Sequence, residues 1–307
     1  MILNAQQTLD ALPYLPLAAE IARLLQDSSV QVPPRMVQSL PGGASFFVMP
    51  AHDAQLAIAK LITFTPANAG TGRATIQGDV VVFDTATGQR CLVLDGPTVT
   101  ARRTAAVSLL AAQKLAAVPQ GPLLIIGAGV QGRAHLEALV TGLGMRQVFV
   151  HSLSASSAQA LVAHAQSLFQ QLGMADGQAS AVASPCDVLA QCTLVVTCTP
   201  ASGHVLHSPA LLHPEVFISA VGAFTPHMTE LAPSVVQHFA QQGRIVVDTM
   251  DAAHEAGDLL QAQINVPACA TLQQCLCAPP LRMPTLFKSC GWAGWDLAAA
   301  RLARQPA

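Results

Sequence analysis

The stretch Leu123-Leu124-Ile125-Ile126-Gly127-Ala128-Gly129-Val130-Gln131-Gly132 limits what this chain can fold into more than any other. Four apolar residues after Gly121-Pro122 read as a buried strand. The apolar period then turns helical through Ala134, Leu136, Leu139 and Val140. Between the two stands GxGxxG, at positions 127, 129 and 132. Alone the motif is a weak sign, but between a strand and a helix each glycine has a task. The first permits a tight turn, the second lets a pyrophosphate approach the backbone, and the third lets helix and strand pack closely. The helix start adds free N–H groups and the positive end of its dipole. A dinucleotide site at Gly127, Ala128, Gly129, Val130, Gln131 and Gly132 is the expectation.

From 123 onward strand and helix alternate: strands at 123–126, 147–151, near 179–183, 193–198, 216–221 and 244–248, with helices at 131–141 and 154–172. This is the α/β pattern of a doubly wound parallel sheet of the Rossmann type. The region before it reads as α+β. A helix over 14–27 precedes strands at 45–49, 55–64, 74–83 and 90–94, with a hairpin turn at Asp84-Thr85-Ala86-Thr87-Gly88. A helix over 100–117, capped by Thr100, leads to a boundary at Gln120-Gly121-Pro122. The tail 287–304 reads as a helix that packs back on the first domain. The expected domains are 1–117 with 288–307, for substrate binding and dimerisation, and 118–287, for the dinucleotide.

A net charge of -2 argues against nucleic acid as a partner, and no apolar run reaches the roughly 18–20 residues that span a bilayer. With 10% charged and 51% hydrophobic residues, so little surface charge points to a face covered by a second subunit. The N-terminus has neither a basic region nor an apolar core, so the eight cysteines are expected in a reducing cytoplasm.

The second strand of such a fold normally ends in Asp or Glu when the ribose 2′-hydroxyl is bound. Here it ends in His151-Ser152-Leu153-Ser154, with hydroxyls, a His and a helix start but no carboxylate. Arg133 is a second candidate phosphate partner. NADPH is therefore favoured, with NADH possible, although the serines also suit a helix cap.

The chain has three lysines, and one of them, Lys60, falls inside Leu56-Ala57-Ile58-Ala59-Lys60-Leu61-Ile62. Strand alternation puts it on the face of Leu56 and Ile58, where an ammonium is costly unless paired. One of Arg102 and Arg103 must face inward from an apolar helix, and Arg35 follows Pro33-Pro34 as another isolated cation. Unpaired cations in a non-basic protein point to a small anionic substrate, most simply a carboxylate. Each charge-assisted bond to it contributes roughly 1.5–3 kcal/mol.

Thr100-Ala101-Arg102-Arg103-Thr104-Ala105-Ala106, followed by the glycine motif through His135, resembles the ornithine cyclodeaminase/mu-crystallin family. So do Lys60-Leu61, Gly72-Arg73-Ala74-Thr75, Asp84 through Gly88, Thr197-Cys198-Thr199-Pro200, Val221-Gly222-Ala223 and Phe287-Lys288-Ser289-Cys290-Gly291. The resemblance implies a homodimer, with Arg35, Lys60, Thr75 and Arg103 lining a carboxylate pocket in which Lys60 and Arg103 carry the catalytic load. It also implies that Cys198, Thr199, Pro200, Val221, Gly222, Ala223 and Gly291 meet the cofactor, beside His151, Ser152 and Ser154.

One departure is informative. Cyclodeaminases of this family place Asp after Val-Gly-Ala, and this chain has Phe224. A phenyl ring neither takes a proton nor pairs an ammonium, so deamination loses its acidic partner. Reduction of a preformed cyclic imine does not need that partner, and Phe224 is expected to wall the substrate ring. The sequence is most similar to the family's ketimine reductases, which convert Δ1-pyrroline-2-carboxylate and Δ1-piperideine-2-carboxylate to L-proline and L-pipecolate. A cyclodeaminase-type lyase and a non-catalytic NADPH-binding protein of the mu-crystallin type are the alternatives. His204, His207 and His213 lack an acidic or Cys partner, so no metal is expected. Asp296 and Glu255 match family positions and read as helix or interface charges.

Overall fold

The computed structural model describes every residue except Ala69, Ala201, Ser202, Pro280, Pro306 and Ala307. In chain order, α1 (Ala5–Asp10) and α2 (Tyr14–Leu24) precede β1 (Met36–Ser39), β2 (Ser45–His52), β3 (Leu56–Phe64), β4 (Ile76–Asp84), β5 (Arg90–Asp95) and α3 (Gly96–Leu115). Next come β6 (Leu123–Ile126), α4 (Val130–Leu143), β7 (Gln147–His151), α5 (Ala155–Gln171), β8 (Gln178–Ala181), β9 (Leu194–Thr197) and β10 (Phe217–Ala220). The chain continues with α6 (Pro233–Gln242), β11 (Arg244–Val247), α7 (Ala252–Glu255), α8 (Gly257–Gln261), β12 (Ala270–Thr271) and α9 (Leu272–Cys277). It ends with β13 (Thr285–Lys288) and α10 (Ala293–Arg304).

Two compact units result: Met1–Val107 with Trp292–Ala307, and Ser108–Gly291. The first division falls inside α3, ahead of the 117 boundary read from the sequence. Beyond Val107 the helix belongs to the second unit, where Ser108 bonds His135 and Leu109 fills the space that a Cβ on Gly142 would take.

The first unit is an antiparallel sheet in the order β1-β2-β3-β4-β5. Met49, Lys60, Val80 and Leu94 are direct neighbours across β2 to β5, and all four are buried. Small residues let α10 lie close against α2, β2 and β3, and every residue from Ala293 to Ala300 is buried. On the other sheet face Met36, Val48 and Leu61 form an apolar row, with Met36 54% and Leu61 37% exposed.

The second unit is a fully parallel sheet in the order β12-β11-β13-β10-β9-β6-β7-β8. From β6 the chain steps outward to β7 and β8, then returns to β9 on the other side. The topological switch point therefore lies between β6 and β9, and ligands of such sheets bind beyond the strand ends there.

Two local expectations need correction. Residues Thr285–Lys288 form a strand rather than the start of the tail helix, because their four buried side chains complete the sheet between β10 and β11. Thr100 does not cap α3. Its hydroxyl donates to the Gly96 carbonyl one turn back, while Asp95 accepts from Thr98 N at 2.9 Å and takes the capping place. No helix among the described residues is long and apolar enough to cross a membrane.

Candidate active site

In the first unit two of the cations expected to be unpaired, Lys60 and Arg103, share one carboxylate. Lys60 Nζ lies 3.0 Å from Asp296 Oδ1, and Arg103 Nε lies 3.4 Å from the same oxygen. β3 alternation turns Lys60 inward, α3 carries Arg103, and the first turn of α10 carries Asp296. That turn is fixed by Trp292 and Trp295, whose rings meet edge to face at 4.9 Å. Gly294 is required there, since a Cβ on it would lie 2.0 Å from the Trp292 ring.

Lys60 and Asp296 have no exposed surface, and 8% of the Arg103 side chain is accessible. Lys60 is thus sealed from solvent, and Asp296, an acid in the first turn of α10, also serves as its buried partner. Two cations share one carboxylate, so the cluster keeps a net positive charge. Burial pushes the Lys60 pKa down to about 8; the Asp296 carboxylate opposes this, while Arg103 and Arg35 add to it. Arg35 is therefore within electrostatic reach of the cluster. Asp296 Oδ2 is buried and accepts no hydrogen bond, which leaves acceptor capacity beside two cations. Thr75 is half-buried just before β4, and its carbonyl accepts from Thr65 N.

In the second unit the glycine loop has the form its spacing predicts. Gly127 has φ +107°, and a Cβ there would meet the Cys198 carbonyl at 2.8 Å. A Cβ on Gly132 would lie 1.9 Å from the Gly127 carbonyl. Gly129 differs. It precedes α4 with no side-chain cap, and a Cβ on it would meet nothing within 4 Å. The protein itself therefore does not need a glycine at 129, but a phosphate approaching the uncapped α4 N-terminus does. The residues fit a dinucleotide pyrophosphate. Ala128 and Gln131 are half-buried and Val130 is exposed.

At the end of β7, His151 Nδ1 lies 3.3 Å from the Val182 carbonyl, and Ser152 is half-buried. Ser154 caps α5 by accepting from Ser157 N. Arg133 is drawn to Glu137, one turn along α4 at 3.2 Å. Beyond β9 and β10, the Thr197–Pro200 and Val221–Ala223 turns are brought together, and a Cβ on Gly222 would lie 2.1 Å from the Thr199 carbonyl. Gly291, with φ +89°, is held by Asp248, whose Oδ2 also accepts from Ser289 Oγ and Cys290 N. Phe224 packs half-buried against the core formed by residues such as Val195, Ile218 and Val247.

Sequence reasoning named Asp296 in the first unit without its pairing to Lys60 and Arg103, and missed Glu230, Asp258 and Asp248 in the second. One signal was available. A lone Asp among Trp295, Leu297 and Ala298 is as costly to bury as Lys60 in its strand, and two such isolated opposite charges predict each other.

The family described as ornithine cyclodeaminase/mu-crystallin matches residues 11–307. Δ1-pyrroline-2-carboxylate/Δ1-piperideine-2-carboxylate reductase of Azospirillum brasilense is 36% identical over 99% of this chain and 94% of its own length. The structure of Thermococcus litoralis Δ1-pyrroline-2-carboxylate reductase in complex with NADH and L-proline superposes with a TM-score of 0.88, at 22% identity. It covers 99% of this chain and 96% of that one. An archaeal alanine dehydrogenase dimer with bound NAD gives 0.85 at 23% identity, covering 99% and 94%. These structures establish the likeness of fold.

Proposed function

The chain belongs to the ornithine cyclodeaminase/mu-crystallin family, and from that premise we propose that it is an oxidoreductase reducing a cyclic ketimine carboxylate. The substrates are Δ1-pyrroline-2-carboxylate and Δ1-piperideine-2-carboxylate, and the products L-proline and L-pipecolate. One observation carries this reading: Lys60 and Arg103 flank a single carboxylate whose second oxygen is free to accept. An α-imino acid presents a carboxylate and, close beside it, a ring nitrogen. That pair is the complement of two cations and a spare acceptor.

When bound, the reduced nicotinamide supplies the hydride that the imine carbon receives, and the ring nitrogen keeps or gains one proton. Arg103, the accessible member of the cluster, binds the substrate carboxylate. Lys60 holds positive charge behind it, and Arg35 and Thr75 complete the pocket. Little further activation is required, because a protonated imine is already electrophilic and orientation supplies most of the effect. Phe224 supplies no acid for deaminating ornithine.

The uncapped α4 N-terminus and the open side of Gly129 support a dinucleotide site. We take NADPH as preferred and NADH as accepted, because no carboxylate follows β7 to repel a 2′-phosphate. The relative in Thermococcus litoralis was solved with NADH, which is in keeping with the second cofactor. The apolar row Met36–Val48–Leu61 is the face we assign to a second copy of this chain. The eight cysteines are free thiols, which suits the cytoplasm we propose as its location. The test is a cofactor-oxidation screen with both cyclic imines, pyruvate plus ammonia, and ornithine. Oxidation with the cyclic imines supports the assignment; ammonia release from ornithine without net cofactor change refutes it.

A further inference from the structure

Glu230 has no exposed surface, yet five donors converge on its carboxyl group. Its Oε1 accepts from Thr199 N at 2.7 Å and Thr199 Oγ1 at 2.8 Å. Its Oε2 accepts from Gly222 N at 2.7 Å, Thr197 Oγ1 at 2.9 Å and Ala223 N at 3.3 Å. One carboxyl group thus joins the turns that follow β9 and β10. Glu230 is held in turn by its own backbone: its N–H donates to Asp258 Oδ1 at 2.6 Å, and its carbonyl accepts from Val205 N at 2.6 Å.

Asp258 is anchored beneath by Lys288, whose Nζ lies 2.8 Å from Asp258 Oδ2. Burial works to lower the Lys288 pKa, but Asp258, Cys290 and Glu230 more than offset it and leave it raised. Burial raises the Glu230 pKa, with Lys288 and the Thr199 donors acting against that.

Thr199 carries the arrangement to the glycine loop. A Cβ on Gly127 would meet Thr199 Cγ2 at 3.1 Å and the Cys198 carbonyl at 2.8 Å, so the β9 turn forms the wall of the first glycine. These are the two strand ends that bracket the switch point. Burying a carboxyl group there is costly, and an apolar side chain would fill the space more cheaply. What only the carboxyl group provides is an acceptor on both sides at once.

We propose that Glu230 is a positioning residue for cofactor binding, fixing the Thr199 and Gly222 turns and, through Thr199, the seat of Gly127. The proposal rests on the dinucleotide reading of the second unit and not on the identity of the imine. Glu230→Gln is the informative variant, because an amide nitrogen turned to either side meets backbone N–H donors.

The experiment titrates NADH and NADPH against purified full-length protein by nicotinamide fluorescence, with thermal unfolding and the Michaelis constant of Δ1-pyrroline-2-carboxylate measured alongside. Glu230→Gln is expected to weaken both dinucleotides at least tenfold while the imine constant moves less than threefold. Thr199→Val, which removes one donor and keeps the shape, is expected to weaken them two- to fivefold. Wild-type dissociation constants in a folded Glu230→Gln overturn the proposal, and so does an equal rise in cofactor and imine constants. If Glu230→Gln does not fold, unchanged dinucleotide binding by Thr199→Val overturns it. Wild-type protein that binds neither dinucleotide overturns it together with the cofactor reading, whereas protein that binds them but reduces no imine contradicts only the substrate assignment.

Discussion

Lys60 Nζ and Asp296 Oδ1 lie 3.0 Å apart, 236 residues apart in sequence, and neither side chain reaches solvent. Arg103 shares the same carboxylate. The protonation of Lys60 therefore depends on an acid from the far end of the chain, and the cluster's positive charge depends on Lys60.

The pH dependence follows from the Lys60 pKa of about 8, set by burial against the opposing Asp296 carboxylate. Below it Lys60 is charged and, in the pocket we propose, would attract the substrate carboxylate; as pH rises through it, that charge is lost. Because kcat/KM reports groups of the free enzyme, kcat/KM for the cyclic imine is expected to fall above about pH 8. Asp296→Asn removes the group that raises the Lys60 pKa, so the break moves to lower pH. A pH–rate profile with the same break in both proteins would exclude this coupling.

Acid is expected to destabilise the fold through a buried histidine. His135 is fully buried, its Nδ1 donates to the Gln131 carbonyl at 2.7 Å, and Nε2 lies 2.8 Å from Ser108 Oγ. Burial lowers its pKa from 6.5 to about 4, against the Gln131 bond. The folded state then binds fewer protons than the unfolded chain between these values. Its contribution is complete above pH 6.5 and is lost as pH falls toward 4, on the order of 3 kcal/mol from this group. Urea unfolding at pH 7 and pH 4 tests this, and His135→Gln should flatten the difference.

The two later glycines of the loop should behave oppositely. Gly132→Ala drives a methyl into the Gly127 carbonyl and is expected to lower the melting temperature and abolish dinucleotide binding. Gly129→Ala meets no protein atom and has φ −82°, which any residue adopts. It should leave the melting temperature within about 2 °C, given that surface changes stay near 0.5 kcal/mol, and still weaken the dinucleotide at least tenfold. Equal binding by wild-type and Gly129→Ala would remove the pyrophosphate from this position.

Much of the fold was readable because its signals are local. The β6 run and three glycines define a strand, a turn and a helix within a few residues, and alternation alone turned Lys60 inward. What stayed hidden was non-local. β13 is four residues long and is a strand only because β10 and β11 flank it. Asp296 gains its role from a strand and a helix far away in sequence. Glu230 stayed hidden because three of its donors are backbone N–H groups, which no residue type announces.

The outer face of the first unit's sheet carries the dimer expectation. Met36, Val48 and Leu61 align across β1, β2 and β3 with their apolar surface half open. Leu61→Lys places a charge in the middle of that row and is expected to shift the protein from dimer to monomer in sedimentation velocity. A monomeric wild-type protein, or a Leu61→Lys dimer of undiminished stability, would exclude this face.

The most direct measurement is steady-state cofactor oxidation with freshly generated Δ1-pyrroline-2-carboxylate, comparing wild-type protein with Arg103→Ala. Losing one charge-assisted bond of roughly 1.5–3 kcal/mol should raise the imine Michaelis constant about ten- to hundredfold and leave the NADPH dissociation constant unchanged. An Arg103→Ala enzyme with the wild-type Michaelis constant would contradict the carboxylate pocket at its centre.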